Sequence, residues 1–95
     1  MLNILVVEDD DNLSNGIRYA LEQEGWSVKT AGTEAEASDF LRSGTYDLIL
    51  LDVMLPDGNG FDLCEKIRKS SDVPIVFLPA KDEEIDVVMG LDKGG

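Results

Sequence analysis

Ile4-Leu5-Val6-Val7-Glu8-Asp9-Asp10-Asp11 and Leu48-Ile49-Leu50-Leu51-Asp52 are two aliphatic runs that each break off into carboxylates. A short unbroken run of branched and long aliphatics reads as a strand buried on both faces. Parallel strands joined by helices bring their C-terminal ends to one edge of a sheet, where ligand sites form. If the two runs lie side by side, Glu8, Asp9 and Asp52 converge. Three carboxylates at one spot repel one another and need a cation, and oxygen-only ligation suits Mg²⁺.

The rest of the chain fits around these two strands. After the first acids, Leu13, Ile17, Ala20 and Leu21 share one helical face, with Arg18 and Glu22 opposite. Asp11 or Asn12 is placed to cap this helix, and Gly25 to close it. Within the acidic run, Asp10 and Asp11 read as capping residues, Glu8 and Asp9 as metal acids. Trp26 to Ala31 alternates apolar and polar, which suits an outer strand. Thr33-Glu34-Ala35-Glu36 reads as a capping box opening a helix through Leu41, ended by Gly44. Asp47 to Asp52 is the second buried strand, followed by the turn-rich Pro56-Asp57-Gly58-Asn59-Gly60. Phe61, Leu63, Cys64 and Ile67 give a third apolar helix face, and Lys66, Arg68 and Lys69 suit the negative end of its dipole. Pro74 to Leu78 reads as a further buried strand and Asp82 to Met89 as a short helix. This alternation predicts an α/β fold, a parallel sheet with helices on both faces.

A chain of 95 residues makes one small domain. Its net charge of −12 argues against direct binding to nucleic acid or to anionic membrane surfaces. It favours cations and basic partner surfaces instead. The single cysteine, Cys64, excludes an internal disulfide and fits a reducing compartment. With no histidine in the sequence, Ser-His and Cys-His nucleophile pairs and histidine metal sites are excluded. No secretory signal is visible, and no apolar run approaches the roughly 18 to 20 residues that span a bilayer. The expectation is a soluble, cytoplasmic chain with no membrane association.

Three blocks together resemble the receiver domain of two-component response regulators: Ile4 to Asp9, Leu50-Leu51-Asp52-Val53-Met54-Leu55-Pro56-Asp57-Gly58-Asn59-Gly60, and Pro74-Ile75-Val76-Phe77-Leu78. The phrasing around Asp52 is closest to the class with a C-terminal winged-helix DNA-binding domain. The resemblance implies a flavodoxin-like sheet of order 2-1-3-4 and a role in transcriptional regulation through an output domain. It also implies that Asp52 accepts a phosphoryl group from a sensor histidine kinase. Asp9 then matches a direct Mg²⁺ ligand, Glu8 its companion acid, and Met54 the position whose backbone carbonyl ligates the metal. Pro56 and Gly60 match the turn that frames the site. Ala80 matches the small residue whose backbone N–H approaches the phosphoryl oxygens.

Two departures from the family pattern stand out. Pro79 occupies the switch position usually held by Thr or Ser, and it offers neither hydroxyl nor N–H. Weakened switching is therefore expected. The family's fifth strand and helix, with a lysine usually before proline, have no counterpart here; neither Lys81 nor Lys93 takes that role. Residues 1-95 are accordingly expected to form an incomplete receiver domain whose Pro74–Leu78 edge invites oligomerisation or domain swapping. Two other functions compete: a phosphorylation-independent interaction module, and a magnesium-dependent phosphatase using Asp52 as nucleophile. The phosphatase is disfavoured, because the second acid it needs two residues on is Met54. The expected protein is not an enzyme beyond self-catalysed phosphotransfer and dephosphorylation.

Overall fold

The computed structural model describes residues 1–78. Pro79, Ala80, Lys81, the helix expected over Asp82 to Met89, and Lys93 lie outside the described residues. Within them the order is β1 (Asn3–Val7), α1 (Asp11–Glu22), β2 (Ser27–Ala31), α2 (Glu34–Ser43), β3 (Leu48–Leu51), β4 (Met54–Leu55), β5 (Gly58–Asn59), α3 (Gly60–Arg68) and β6 (Ile75–Phe77). Four strands form one sheet in the order β2-β1-β3-β6, all pairings parallel. This is the expected 2-1-3-4 arrangement, with β6 as its fourth member. The turn-rich stretch after Asp52 proves more ordered than its composition suggests. Met54 pairs with Asn59 and Leu55 with Gly58 in a small antiparallel hairpin.

β1 is the central wall. Ile4, Leu5, Val6 and Val7 are fully buried, because alternate side chains face opposite layers. Leu5 and Val7 join Ile49 and Leu51 in a core with Ala37 of α2 and Leu63 and Ile67 of α3. Ile4 and Val6 face the other layer, with Val28, Leu78 and, from α1, Ile17 and Leu21. Among the described residues α1 is the only helix on that second face. Leu48 and Leu50 are therefore half-buried, and β3 is not sealed on both sides as its sequence suggests. β6 is likewise half-buried throughout. Phe61 is exposed at the start of α3 and does not enter the core; its ring meets Phe77 with centroids 5.0 Å apart.

The caps differ in detail from expectation. Of the residues read as caps for α1, it is Asp10 and neither Asp11 nor Asn12 that takes the role, accepting from the backbone N–H groups of Asn12 and Leu13. An Asp one residue earlier leaves Asp11 free to occupy the first turn, where a negative charge favours the helix dipole. Ala20 is exposed, so the buried stripe of α1 is narrower than its spacing suggests. Gly25 has φ +86° just past the helix, a backbone shape that glycine adopts without strain. Thr33 caps α2 through Glu36 N–H, but the Glu36 carboxylate turns to Gly32 N–H instead of completing the box at Thr33.

Gly16 lies inside α1, and an added Cβ there would meet nothing within 4 Å. Gly16→Ala is expected to stabilise the fold by about 0.5–1 kcal/mol, because alanine loses less backbone freedom in a helix. Urea denaturation measures the gain; a lower midpoint would refute it.

Candidate functional site

The acids are placed by the register of the sheet. Val7 pairs with Leu51, so Glu8 and Asp52 are the first residues beyond paired neighbours. Their backbones stay tied to the sheet: Glu8 N–H donates to Ala31 carbonyl at 2.9 Å, and Asp52 N–H to Val7 carbonyl at 2.8 Å. Glu8, Asp9 and Asp52 thus gather at the sheet's carboxyl edge, with one ligand atom from each lying within 4.8 Å of the others. This is the convergence anticipated from the two carboxylate-ended runs.

The three acids differ in environment. Glu8 is buried, Asp52 half-buried and Asp9 exposed. Burial is the main force on Glu8 and raises its pKa to about 7; the Asp52 charge and contacts with Asp9 and Asp52 add to it, opposed by Asp10 N–H. That N–H donates to Glu8 Oε2 at 3.0 Å. Asp52 Oδ1 accepts from Met54 N–H at 3.3 Å. A carboxylate forced towards its neutral form by burial and like charge is a site that a divalent cation would relieve. The donor set is oxygen only, which fits Mg²⁺ and argues against a soft metal.

Met54 lies at the start of the hairpin with its side chain exposed. Its backbone, not its side chain, is the part that meets the acids, the N–H donating to Asp52 Oδ1. Pro56 sits in the hairpin turn. Gly60 follows it, its N–H donating to the Val53 carbonyl at 2.7 Å and its Cα pressed against the backbone of Asp52. Pro79 and Ala80 lie outside the described residues, so their place relative to the acids is not part of this geometry.

One contributor escaped the sequence reading. Asp57 lies in the hairpin turn, yet its carboxylate accepts from Glu34 N–H at 2.7 Å and Ala35 N–H at 3.1 Å, the first two amides of α2. These amides hold its pKa below the usual carboxylate range. The local signal in Pro56-Asp57-Gly58 announces only a turn; the partners lie more than twenty positions upstream. Glu34 also pairs with Lys66 of α3 at 2.9 Å. A separate cavity of about 420 Å³ lies between α2 and α3, bounded by Leu41, Tyr46, Leu63 and Ile67, and no acid of the cluster lines it.

The response regulator receiver domain family matches residues 4–95. The transcriptional regulatory protein AfsQ1 of Streptomyces coelicolor is 40% identical over 94 residues, covering 99% of this chain but 42% of that protein. The chain thus spans less than half the length of this curated relative. A two-component response regulator from Clostridium difficile superposes with a TM-score of 0.84 at 34% identity, covering 100% of this chain and 78% of that one. The response regulator protein TrrA from Thermotoga maritima, solved in complex with Mg(2+)-BeF, gives a TM-score of 0.80 at 36% identity, covering 86% of this chain and 72% of that one. Among the described residues no helix is long and apolar enough to cross a membrane. The sheet order, the acids at its carboxyl edge and a family match over nearly the whole length lead to one conclusion: this chain belongs to the receiver domains of two-component response regulators.

Proposed function

We propose that this receiver takes a phosphoryl group on Asp52 in a Mg²⁺-dependent reaction, with a sensor histidine kinase as donor and transcriptional regulation as output. The observation that carries the proposal is the gathering of Glu8, Asp9 and Asp52 within 4.8 Å at the sheet edge of a receiver fold. The metal complex of the Thermotoga relative supports the choice of ion. Glu8, Asp9, Asp52 and the Met54 backbone carbonyl would hold the metal. When bound, Mg²⁺ supplies charge neutralisation for the phosphoryl oxygens and the acids.

The chain's own groups do the rest. An Asp52 oxygen attacks the phosphorus, the donor's bond to phosphorus breaks, and the donor leaves with that electron pair. The product is an acyl phosphate on Asp52. Met54 N–H orients the Asp52 carboxylate by holding one oxygen. Ala80 N–H would contact the transferred group, and Pro79, lacking hydroxyl and N–H, would transmit its arrival weakly. This is self-catalysed transfer in a signalling domain, and DNA contact belongs to an output domain like those implied by the relatives' names.

Incubation with Mg²⁺ and a small acyl-phosphate donor is expected to add about 80 Da, one phosphoryl group, to the chain. Peptide mapping should place it at Asp52, and Asp52→Asn or chelation of the metal should abolish it. Pro79 favours a second reading, a receiver that binds its kinase without being phosphorylated. No adduct on the unmodified chain, with kinase binding retained, would select that reading and end the first.

A further inference from the structure

We infer that Asp57 is a positioning residue for the acidic site: by capping α2 it locks the β4–β5 hairpin that presents the Met54 backbone to the carboxylates. The inference rests on the reading that Glu8, Asp9 and Asp52 hold a divalent cation.

The amides at the start of α2 need acceptors, as at any helix N-terminus. Thr33 Oγ1 takes only one of them, Glu36 N–H at 3.1 Å. The other two go to Asp57, one to each carboxylate oxygen. A helix is normally capped by a residue adjacent in sequence. Here Thr33 is joined by a second acceptor from the loop that follows Asp52, so the interaction ties that loop to a separate element. Charge reinforces the tie, since the carboxylate meets the positive end of the α2 dipole.

The rest of the hairpin is held less firmly. Its two strands are two residues each, too short to be stable alone. Leu55 enters the core, and Gly58 lies against the Glu34 carboxylate, which Lys66 holds from α3. Those contacts set how deep the hairpin sits. Asn59, which caps α3, and the Gly60–Val53 bond hold its far end, while the paired bonds of Asp57 tie its turn to α2 and so oppose tilt about the Leu55 anchor. Tilt matters because Met54 is directly linked to the site: its N–H reaches Asp52 Oδ1, and the same residue's carbonyl is the proposed metal ligand. Supporting groups of this kind commonly change metal affinity by about 10- to 100-fold. Asp57 acts through one further step, so about three- to tenfold is expected.

The test compares Asp57→Ala, Asp57→Asn and Thr33→Ala in the whole chain. Thr33→Ala removes a cap from the same helix end but touches no part of the hairpin, so it reports the cost of weakening α2 alone. Calorimetric titration with Mg²⁺ gives affinity, and urea denaturation gives stability. Asp57→Ala should lose three- to tenfold in Mg²⁺ affinity, Asp57→Asn should recover part of it through its remaining acceptor, and Thr33→Ala should bind as the unmodified chain does despite lower stability. Unchanged affinity in Asp57→Ala, or an equal loss in Thr33→Ala, would overturn the positioning role. Failure of the unmodified chain to bind Mg²⁺ would instead overturn the metal reading beneath it.

Discussion

Gly60→Ala is expected to destabilise the fold by on the order of 3 kcal/mol and to slow phosphorylation of Asp52 as well. A Cβ at this position would sit 2.2 Å from the Asp52 carbonyl oxygen and 3.2 Å from Leu51 Cγ. The first distance is far inside van der Waals contact, and the obstacle is backbone. Asp52 cannot yield easily, since its N–H is bonded to Val7 and the strand before it is core. Relief must come from moving the start of α3 outward, which strains the Gly60–Val53 bond and uncovers Leu63. Gly58 is the instructive contrast. Its added Cβ would meet Glu34 Oε1 at 2.3 Å, the far end of a side chain that can turn away. Gly58→Ala should therefore cost far less. Urea midpoints of the two variants decide the matter: equal midpoints would show that the Gly60 contact does not control the packing of α3.

With Mg²⁺ chelated, stability is expected to fall as pH rises from about 4.5 to about 7, and to level off above. Glu8 titrates near 4.5 when unperturbed and near 7 in the folded chain. Between those values the native state keeps a proton that the unfolded chain has released. Folding is then opposed by rising pH, the reverse of the usual paired carboxylate. The span should be on the order of 2 kcal/mol, reduced from the full linkage value by solvent screening at the edge of the site. Burial is the leading cause, so Asp52→Asn should make the slope shallower without removing it, and should raise metal-free stability at pH 7.5. Mg²⁺ held by the acids as proposed would favour the folded chain and should restore stability at that pH. Denaturation series from pH 4.5 to 8, with chelator and with Mg²⁺, measure each part. A metal-free profile that is flat or rises with pH would refute the assignment of a strained carboxylate to Glu8.

Much of this was legible in the sequence because the informative residues carry their signal locally. The run Ile4 to Val7 announces a strand buried on both faces, and the structure buries all four side chains completely. Glu8 and Asp52 each follow such a run directly, so parallel pairing alone was enough to bring them together. The family resemblance gave the sheet order, which β2-β1-β3-β6 matches. Less legible was whatever depends on partners remote in sequence. Leu48 and Leu50 look like Ile4 and Val6, yet their burial depends on how much of α1 reaches them. Phe61 has helical spacing with Leu63 and Ile67 only approximately, and it rests on Phe77 at the surface. Asp57 carried the plain signature of a turn, whereas its bonds run to amides of another helix. The sequence names Asp10, Asp11 and Asn12 as caps without choosing, because consecutive polar residues offer several equivalent acceptors and only the backbone path selects Asp10 among them.

The backbone bonds at the strand ends also bear on time. Glu8 N–H reaches Ala31, Asp52 N–H reaches Val7, and Leu78 N–H reaches Leu51, each donor stepping to the strand beside it. Amides of this kind belong to the central sheet, which opens only when most of the structure does. Loops and helix ends fluctuate many times between such openings. The backbones that carry the two inner acids therefore keep their spacing through such motion. That spacing lasts as long as the sheet does, while the proton on Glu8 comes and goes with pH.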